Sequence, residues 1–162
     1  MLEIRRANDA DWESIWSIFQ AVVTEGDTYV YAPDTTKEHA YSLWLSAGVS
    51  TYVAHEDSAI AGTYRLKANQ PGLGSHICNA AFMIKPEQAG RGVGRAMGHH
   101  ALAEAKAMGY SAMQFNFVVS SNGRAVALWK SLGFAIVGTV PQAFRHPRLG
   151  LVDAYIMHRF LD

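Results

Sequence analysis

Cysteine is almost missing from this chain of 162 residues, where Cys78 stands alone. A lone cysteine excludes an intrachain disulfide and any metal site built from several thiolates. Neither sign of charge is in excess, with 14 Lys and Arg against 14 Asp and Glu. No whole-surface field therefore argues for nucleic acid or an anionic membrane as a partner. No apolar run reaches the ~18 residues of a membrane-spanning helix, and "MLEIRRANDADW" at the start carries none of signal-peptide length. A cytoplasmic protein is the resulting expectation. Histidine is not scarce, at seven residues, but spacing suited to a metal is absent. His99 and His100 are adjacent and would point about 100° apart on a helix. The others are scattered singly, so no catalytic metal is expected.

What is present suits a single globular domain over residues 1–162, with 49% hydrophobic and 17% charged residues. "LEIRRA" alternates as a first strand does. Trp12, Ile15, Trp16, Phe19, Val22 and Val23 then fall on one helical stripe. Turn-forming "TEGDTYVYAPDTT" ends it, and Thr35 with Glu38 has capping-box spacing for a helix over 36–47. "TYVAHED" and "AIAGTYRLK" read as two strands around a short turn at Ser58, and "HICNAAFMI" as a buried strand. A helix with Val93, Met97, Ala101, Ala105 and Met108 inward ends at Gly109; "SAMQFNFVV" is the next strand. A stripe of Ala125, Leu128, Trp129 and Leu132 marks another helix, and "AIVGTV" and "VDAYIMHRF" close the chain as strands. The strand, helix and strand over 76–119 predict a parallel crossover. The fold class is mixed α/β (α+β): a central twisted, mostly antiparallel mixed sheet with one parallel β-α-β unit and helices on both faces.

The glycine-rich segment "QAGRGVGRAMG" places four glycines and two arginines in eleven positions at a helix start. A helix start leaves backbone N–H groups unpaired, and Ser, Thr, Asp or Asn usually caps them. None of these lies between Pro86 and Gly98. Two readings stand: a ligand's anion completes the cap, helped by Arg91 and Arg95, or the glycines only permit tight strand-to-helix packing. The segment ends Gly94-Arg95-Ala96, without the Lys-Ser/Thr of a P-loop, and the following "QFNFVVSSN" lacks the carboxylate of a dinucleotide site.

"FMIKPEQAGRGVGRAM" followed by "NGRAVALWKSLGF" resembles the Gcn5-related N-acetyltransferases over residues 76–140. Their signature is a Gln/Arg-x-x-Gly-x-Gly/Ala loop and then Asn-x-x-Ala-x-x-Leu-Tyr-x-x-x-Gly-Phe. The resemblance implies acetyl-CoA as donor, its diphosphate held by main-chain amides of Gly90, Arg91, Gly92, Val93, Gly94 and Arg95. It also implies cofactor contacts from Asn122 and Trp129, and N–H groups of Met83 and Ile84 on the thioester oxygen. Asn122 reads equally as an N-cap. Three positions depart from the family pattern: Ala89 for Gln/Arg, Trp129 for the tyrosine acid and Cys78 for the glutamate base. An indole N–H is a donor but not a usable acid.

The family's two central strands splay to admit the acetyl group. Asn79 and Asn116 lie on those strands and are the candidate catalytic residues, orienting a small polar substrate or a water; each also reads as an amide paired with nearby backbone. "FNFVVSSNGRAVALWKSLGFAIVGTVPQAF" is in turn similar to the fungal acetyltransferases of azetidine-2-carboxylate, which implies a small amino- or imino-acid acceptor. Glu25, Tyr29 and Tyr31 are further candidates for the acceptor wall, and His76 and His146 for a base. The expected reaction is direct transfer in a ternary complex. Cys78 as acyl carrier is the second mechanism; a non-catalytic acyl-CoA binder and a protein N-acetyltransferase are the other functions. The expected partners are a small-molecule amine and a second copy in a homodimer, with no nucleic acid and no membrane.

Overall fold

In the computed structural model, which describes residues 1–162, strand β1 (Leu2–Arg6) leads into helices α1 (Trp12–Glu25) and α2 (Lys37–Trp44). Strands β2 (Ser50–Glu56), β3 (Ala59–Ala68) and β4 (Ile77–Ile84) follow, then α3 (Val93–Ala107), β5 (Ala112–Val119) and α4 (Gly123–Ser131). Strands β6 (Ala135–His146) and β7 (Gly150–Phe160) complete the chain. One sheet runs in the order β1-β2-β3-β4-β5-β7-β6. Only β4 and β5 pair in parallel; the other neighbours are antiparallel. This is the mixed, mostly antiparallel sheet with one crossover that the sequence predicts. No helix is long and apolar enough to cross a membrane.

Alternation along the strands sorts the core into two layers. Val53, Ala81 and Met83 face α1 and α2, where Ile15, Ile18, Phe19 and Trp44 are buried. Tyr64, Leu66, Cys78, Met113 and Phe115 face α3 and α4. Full burial of each large side chain contributes ~1.5–3 kcal/mol, so the stripe of α1 fixes that helix on the sheet. The β2–β3 turn has Asp57 and Ser58 at φ 49° and 73°, the two-residue turn whose twist suits a hairpin.

Four boundaries differ from the sequence reading. The cap of α2 is Thr36, whose hydroxyl accepts from the His39 N–H, while the Thr35 hydroxyl donates to Ala32 O. That helix ends at Trp44, short of residue 47. Met108 is exposed, because α3 has ended one residue earlier and Gly109 turns the chain at φ 89°. Strand β6 runs on through Pro141 to His146. As the outermost strand of the sheet it tolerates proline and a bulge, with Gln142 at φ 51°.

Ahead of α1, Asp11 is buried and accepts two bonds from Arg5, Nη1 to Oδ2 and Nη2 to Oδ1, each 2.8 Å. The Asn8 N–H adds a third at 2.9 Å. The Arg5 hydrogen bonds hold the Asp11 carboxyl below the usual carboxylate range, against its burial. A carboxyl with a lowered pKa in the folded state stabilises above its unfolded value and loses that contribution as pH falls through the folded value. Asp11→Asn is therefore expected to lower the urea midpoint at neutral pH, with the difference from wild type shrinking below about pH 4. A difference that stayed constant down to about pH 2 would contradict this linkage.

Candidate active site

Strands β4 and β5 stay paired for only three positions: Ile77 with Ala112, Cys78 with Met113, and Asn79 with Gln114. Beyond that point they part. Asn79 sits at the fork, where its Nδ2 donates to Gln114 O at 3.0 Å. An irregularity between Phe115 and Val118 shifts the β5–β7 register and bends β5 away. Across β4, Ile77 O accepts from Asn69 and the Lys85 N–H donates to Ala61 O. By alternation the odd-numbered residues pair with β3, so the main chain of Phe82 and Ile84 faces the opening. Met83, opposite Thr63, turns its main chain toward β3 and only its buried side chain toward the cavity.

The opening leads into a cavity of about 560 Å³ that passes from one face of the sheet to the other. Ile84, Ala89, Gly94 and Trp129 line one side and Glu25, Tyr29, Arg65, Asn79 and Asn116 the other, while Asp27, Asn122 and Arg124 meet in a smaller pocket that adjoins it. This volume lies within the ~300–1,000 Å³ of small-molecule sites. At the edge of the gap the Tyr29 hydroxyl donates to Phe82 O (2.5 Å) and accepts from the Phe82 N–H (2.9 Å). Burial pushes Tyr29 up to about 12, so it remains a neutral donor. The Tyr31 ring stacks on it at 6.1 Å.

The glycine segment divides by function. Gly90 and Gly92 adopt φ 78° and 87°, the left-handed region that glycine enters without a Cβ penalty. Gly92 is the N-cap of α3 and no side chain caps that helix. A Cβ added at Gly92 would meet nothing within 4 Å, so the space outside the first turn is open to an anion. A Cβ at Gly94 would lie 3.0 Å from Ile84 Cδ1 and 3.3 Å from Leu128 Cδ2. Gly94 is thus a packing requirement, whereas packing does not account for Gly92. Arg91 bonds Gln88 Oε1 at 2.8 Å, and Val93 is buried while Arg95 is exposed. Arg124 of α4 is an addition that the sequence did not single out: its Nη1 lies 3.6 Å from the Cβ position of Gly90.

Of the two candidate asparagines, Asn116 is exposed. Its Oδ1 accepts from Gln114 Nε2 at 3.0 Å and its Nδ2 donates to Asn69 Oδ1 at 2.7 Å. Asn69, at the end of β3, also escaped the sequence reading. Asn122 caps α4 through Oδ1, 3.3 Å from the Ala125 N, and lines the cavity. Trp129 packs against Phe82 and Phe115 with ring centres 4.8 and 4.7 Å away. Cys78 is fully buried in the layer under α3 and does not line the cavity. Burial pushes its thiol up to about 12, so an acyl-carrying thiolate there is excluded. His76 is exposed at the far end of β4, and His146 Nδ1 accepts from the N–H groups of Arg148 and Leu149 at 3.1 Å each. His76 lies away from the cavity, whereas His146 lines a smaller pocket that shares Asp27, Thr28, Asn122 and Arg124 with it.

Residues 12–134 match the model of the acetyltransferase (GNAT) family. Over 100 residues, 61% of the chain, it is 35% identical to N-acetyltransferase aca1 of Schizosaccharomyces pombe. That match spans 48% of the curated relative, about half its length. The fold superposes with a TM-score of 0.95 and 44% identity on a GCN5-related N-acetyltransferase from Kribbella flavida, covering 98% of this chain and 97% of that one. It is also that of yncA from Salmonella typhimurium, solved with its cofactor acetyl-CoA, at a TM-score of 0.85 and 22% identity over 100% and 95% of the two chains.

Proposed function

This chain belongs to the GNAT family of acetyltransferases, and on that premise we propose that it is an acetyl-CoA-dependent N-acetyltransferase acting on a small amine by direct transfer. The observation that carries the reading is the gap between β4 and β5, which joins the uncapped start of α3 to a second mouth through one cavity. The open space beside Gly92 and the nearby Arg124 fit a diphosphate. Amides from Gly90 to Arg95 would hold it, with Asn122 and Trp129 along the chain that leads inward. When bound, the coenzyme supplies an activated acetyl thioester, whose C–S bond breaks as the amine N–C bond forms.

The chain's own contribution is alignment and electrostatics. Of the β4 main-chain N–H groups that face the opening, that of Phe82 already donates to the Tyr29 hydroxyl, which leaves that of Ile84 where a carbonyl oxygen gains charge. The fork at Asn79 and the Gln114–Asn116–Asn69 chain set the acceptor's approach. No carboxylate lies on β4, so the amine proton departs toward the mouth lined by Glu25 and Asp27. Trp129 donates no proton, and the leaving thiolate, with a free thiol pKa of about 8.5, is protonated by water.

The test mixes protein, acetyl-CoA and a panel of small amines and follows thiol release. Release that requires an amine, with the acetylated amine as product, is the expected result. Stabilisation by coenzyme A with no turnover on any amine would instead make the chain an acyl-CoA binder.

A further inference from the structure

Tyr29 belongs to neither strand of the gap, yet its hydroxyl makes the hydrogen bonds that a strand would make there. It donates to Phe82 O at 2.5 Å and accepts from the Phe82 N–H at 2.9 Å. Phe82 lies beyond Asn79, the last residue of β4 that pairs with β5. Its main chain faces away from β3, so β5 would be its partner in an unbroken sheet. A main-chain N–H and C=O withdrawn from water both need partners, and here one oxygen serves the two. Burial keeps the phenol neutral, with a proton to give and lone pairs to receive.

Both ends of this contact are held. Tyr29 comes from the segment between α1 and α2, and its ring stacks on Tyr31 with centres 6.1 Å apart. Tyr31 in turn lies 5.4 Å from Phe19, which α1 buries against the sheet. On the opposite face the Phe82 ring packs on Tyr64 and Trp129, with centres 5.3 and 4.8 Å away. Phe82 is therefore gripped by its side chain from the layer of α3 and α4, and by its main chain from the other side of the cavity. We propose that Tyr29 is a positioning residue for the transfer, its hydroxyl replacing a strand partner so that β4 and β5 stay apart at the gap. This rests on the acetyl transfer proposed above and adds to it the residue that sets the width of the slot. Without the hydroxyl, the Phe82 N–H and C=O turn to β5 or to water, and the neighbouring Ile84 N–H shifts with them. The diphosphate end of the coenzyme, at the glycine loop, is held by other groups. Loss of the hydroxyl therefore acts on alignment at the reacting carbonyl more than on coenzyme affinity.

The experiment compares wild type with Tyr29→Phe, which keeps the stacked ring and removes only the hydroxyl. For both proteins kcat, KM for the amine, the coenzyme A dissociation constant and the melting temperature are measured. In the variant kcat is expected to fall on the order of 10- to 100-fold, with coenzyme affinity changed by no more than about twofold. Amide hydrogen exchange on wild type tests the clamp without any substitution. The Phe82 N–H is expected to exchange at least about tenfold more slowly than that of Ile84, on the same open edge of β4. An unchanged kcat, or equal losses in kcat and coenzyme affinity, would make Tyr29 a structural residue and overturn the proposal. Equal exchange at Phe82 and Ile84 would overturn it as well. These results leave acetyl transfer standing, whereas wild type that turns over no amine overturns the transfer and the role of Tyr29 together.

Discussion

Gly92→Val is expected to weaken coenzyme A binding by on the order of 100-fold or more while lowering the melting temperature only modestly. Gly92 holds φ 87° with no neighbour within 4 Å of its Cβ position. A Cβ there meets no protein atom, so the main folding cost is the left-handed backbone, ~1–2 kcal/mol. Binding suffers more. The new side chain fills the space through which an anion must approach the first turn of α3. Each hydrogen bond to a charged group is worth ~1.5–3 kcal/mol, so blocking two suffices for the predicted loss. Gly94→Val supplies the contrast: its side chain meets Ile84 and Leu128 at 3.0 and 3.3 Å, so stability falls more steeply. Calorimetric titration and thermal melts separate the two effects, and unchanged affinity in Gly92→Val would refute the anion site.

The loop around Gly92 was legible because local sequence carries the signal: positive-φ glycines and a helix without a capping side chain. The strands, helices and parallel crossover were legible for the same reason, through periodicity and stop signals. Strand β6 was read too short because Pro141 and Gln142 break the alternation, and only its place at the sheet edge allows the strand to continue. Arg65 was invisible for a different reason. In "AIAGTYRLK" an arginine reads as a solvent-facing residue; its burial comes from α1, α2 and the loop between them closing over that face. Tyr29 was named as a wall residue, but its bonds to Phe82, 53 positions away in sequence, depend on where the strands diverge. Asn69 and Arg124 likewise join the site through tertiary placement.

Asn116→Ala is expected to lower kcat on the order of 100-fold while coenzyme affinity changes by no more than about twofold. The residue is exposed, so its loss leaves Gln114 and Asn69 to water and costs little stability. Its position opposite the fork matters for a different quantity, the alignment of the acceptor with the gap. A displacement of about an ångström in a reacting nitrogen is enough for a loss of that size. Steady-state rates set beside the coenzyme dissociation constant decide the matter. Equal losses in turnover and coenzyme binding would make Asn116 a structural residue of β5.

The most direct measurement is a crystal structure of the protein with coenzyme A bound. The account predicts the diphosphate on the amides between Gly90 and Arg95, and the sulfur end within the opening beyond Asn79 and Gln114. A loop closed by its own Arg91 and Gln88 side chains, with the coenzyme bound elsewhere, would contradict it.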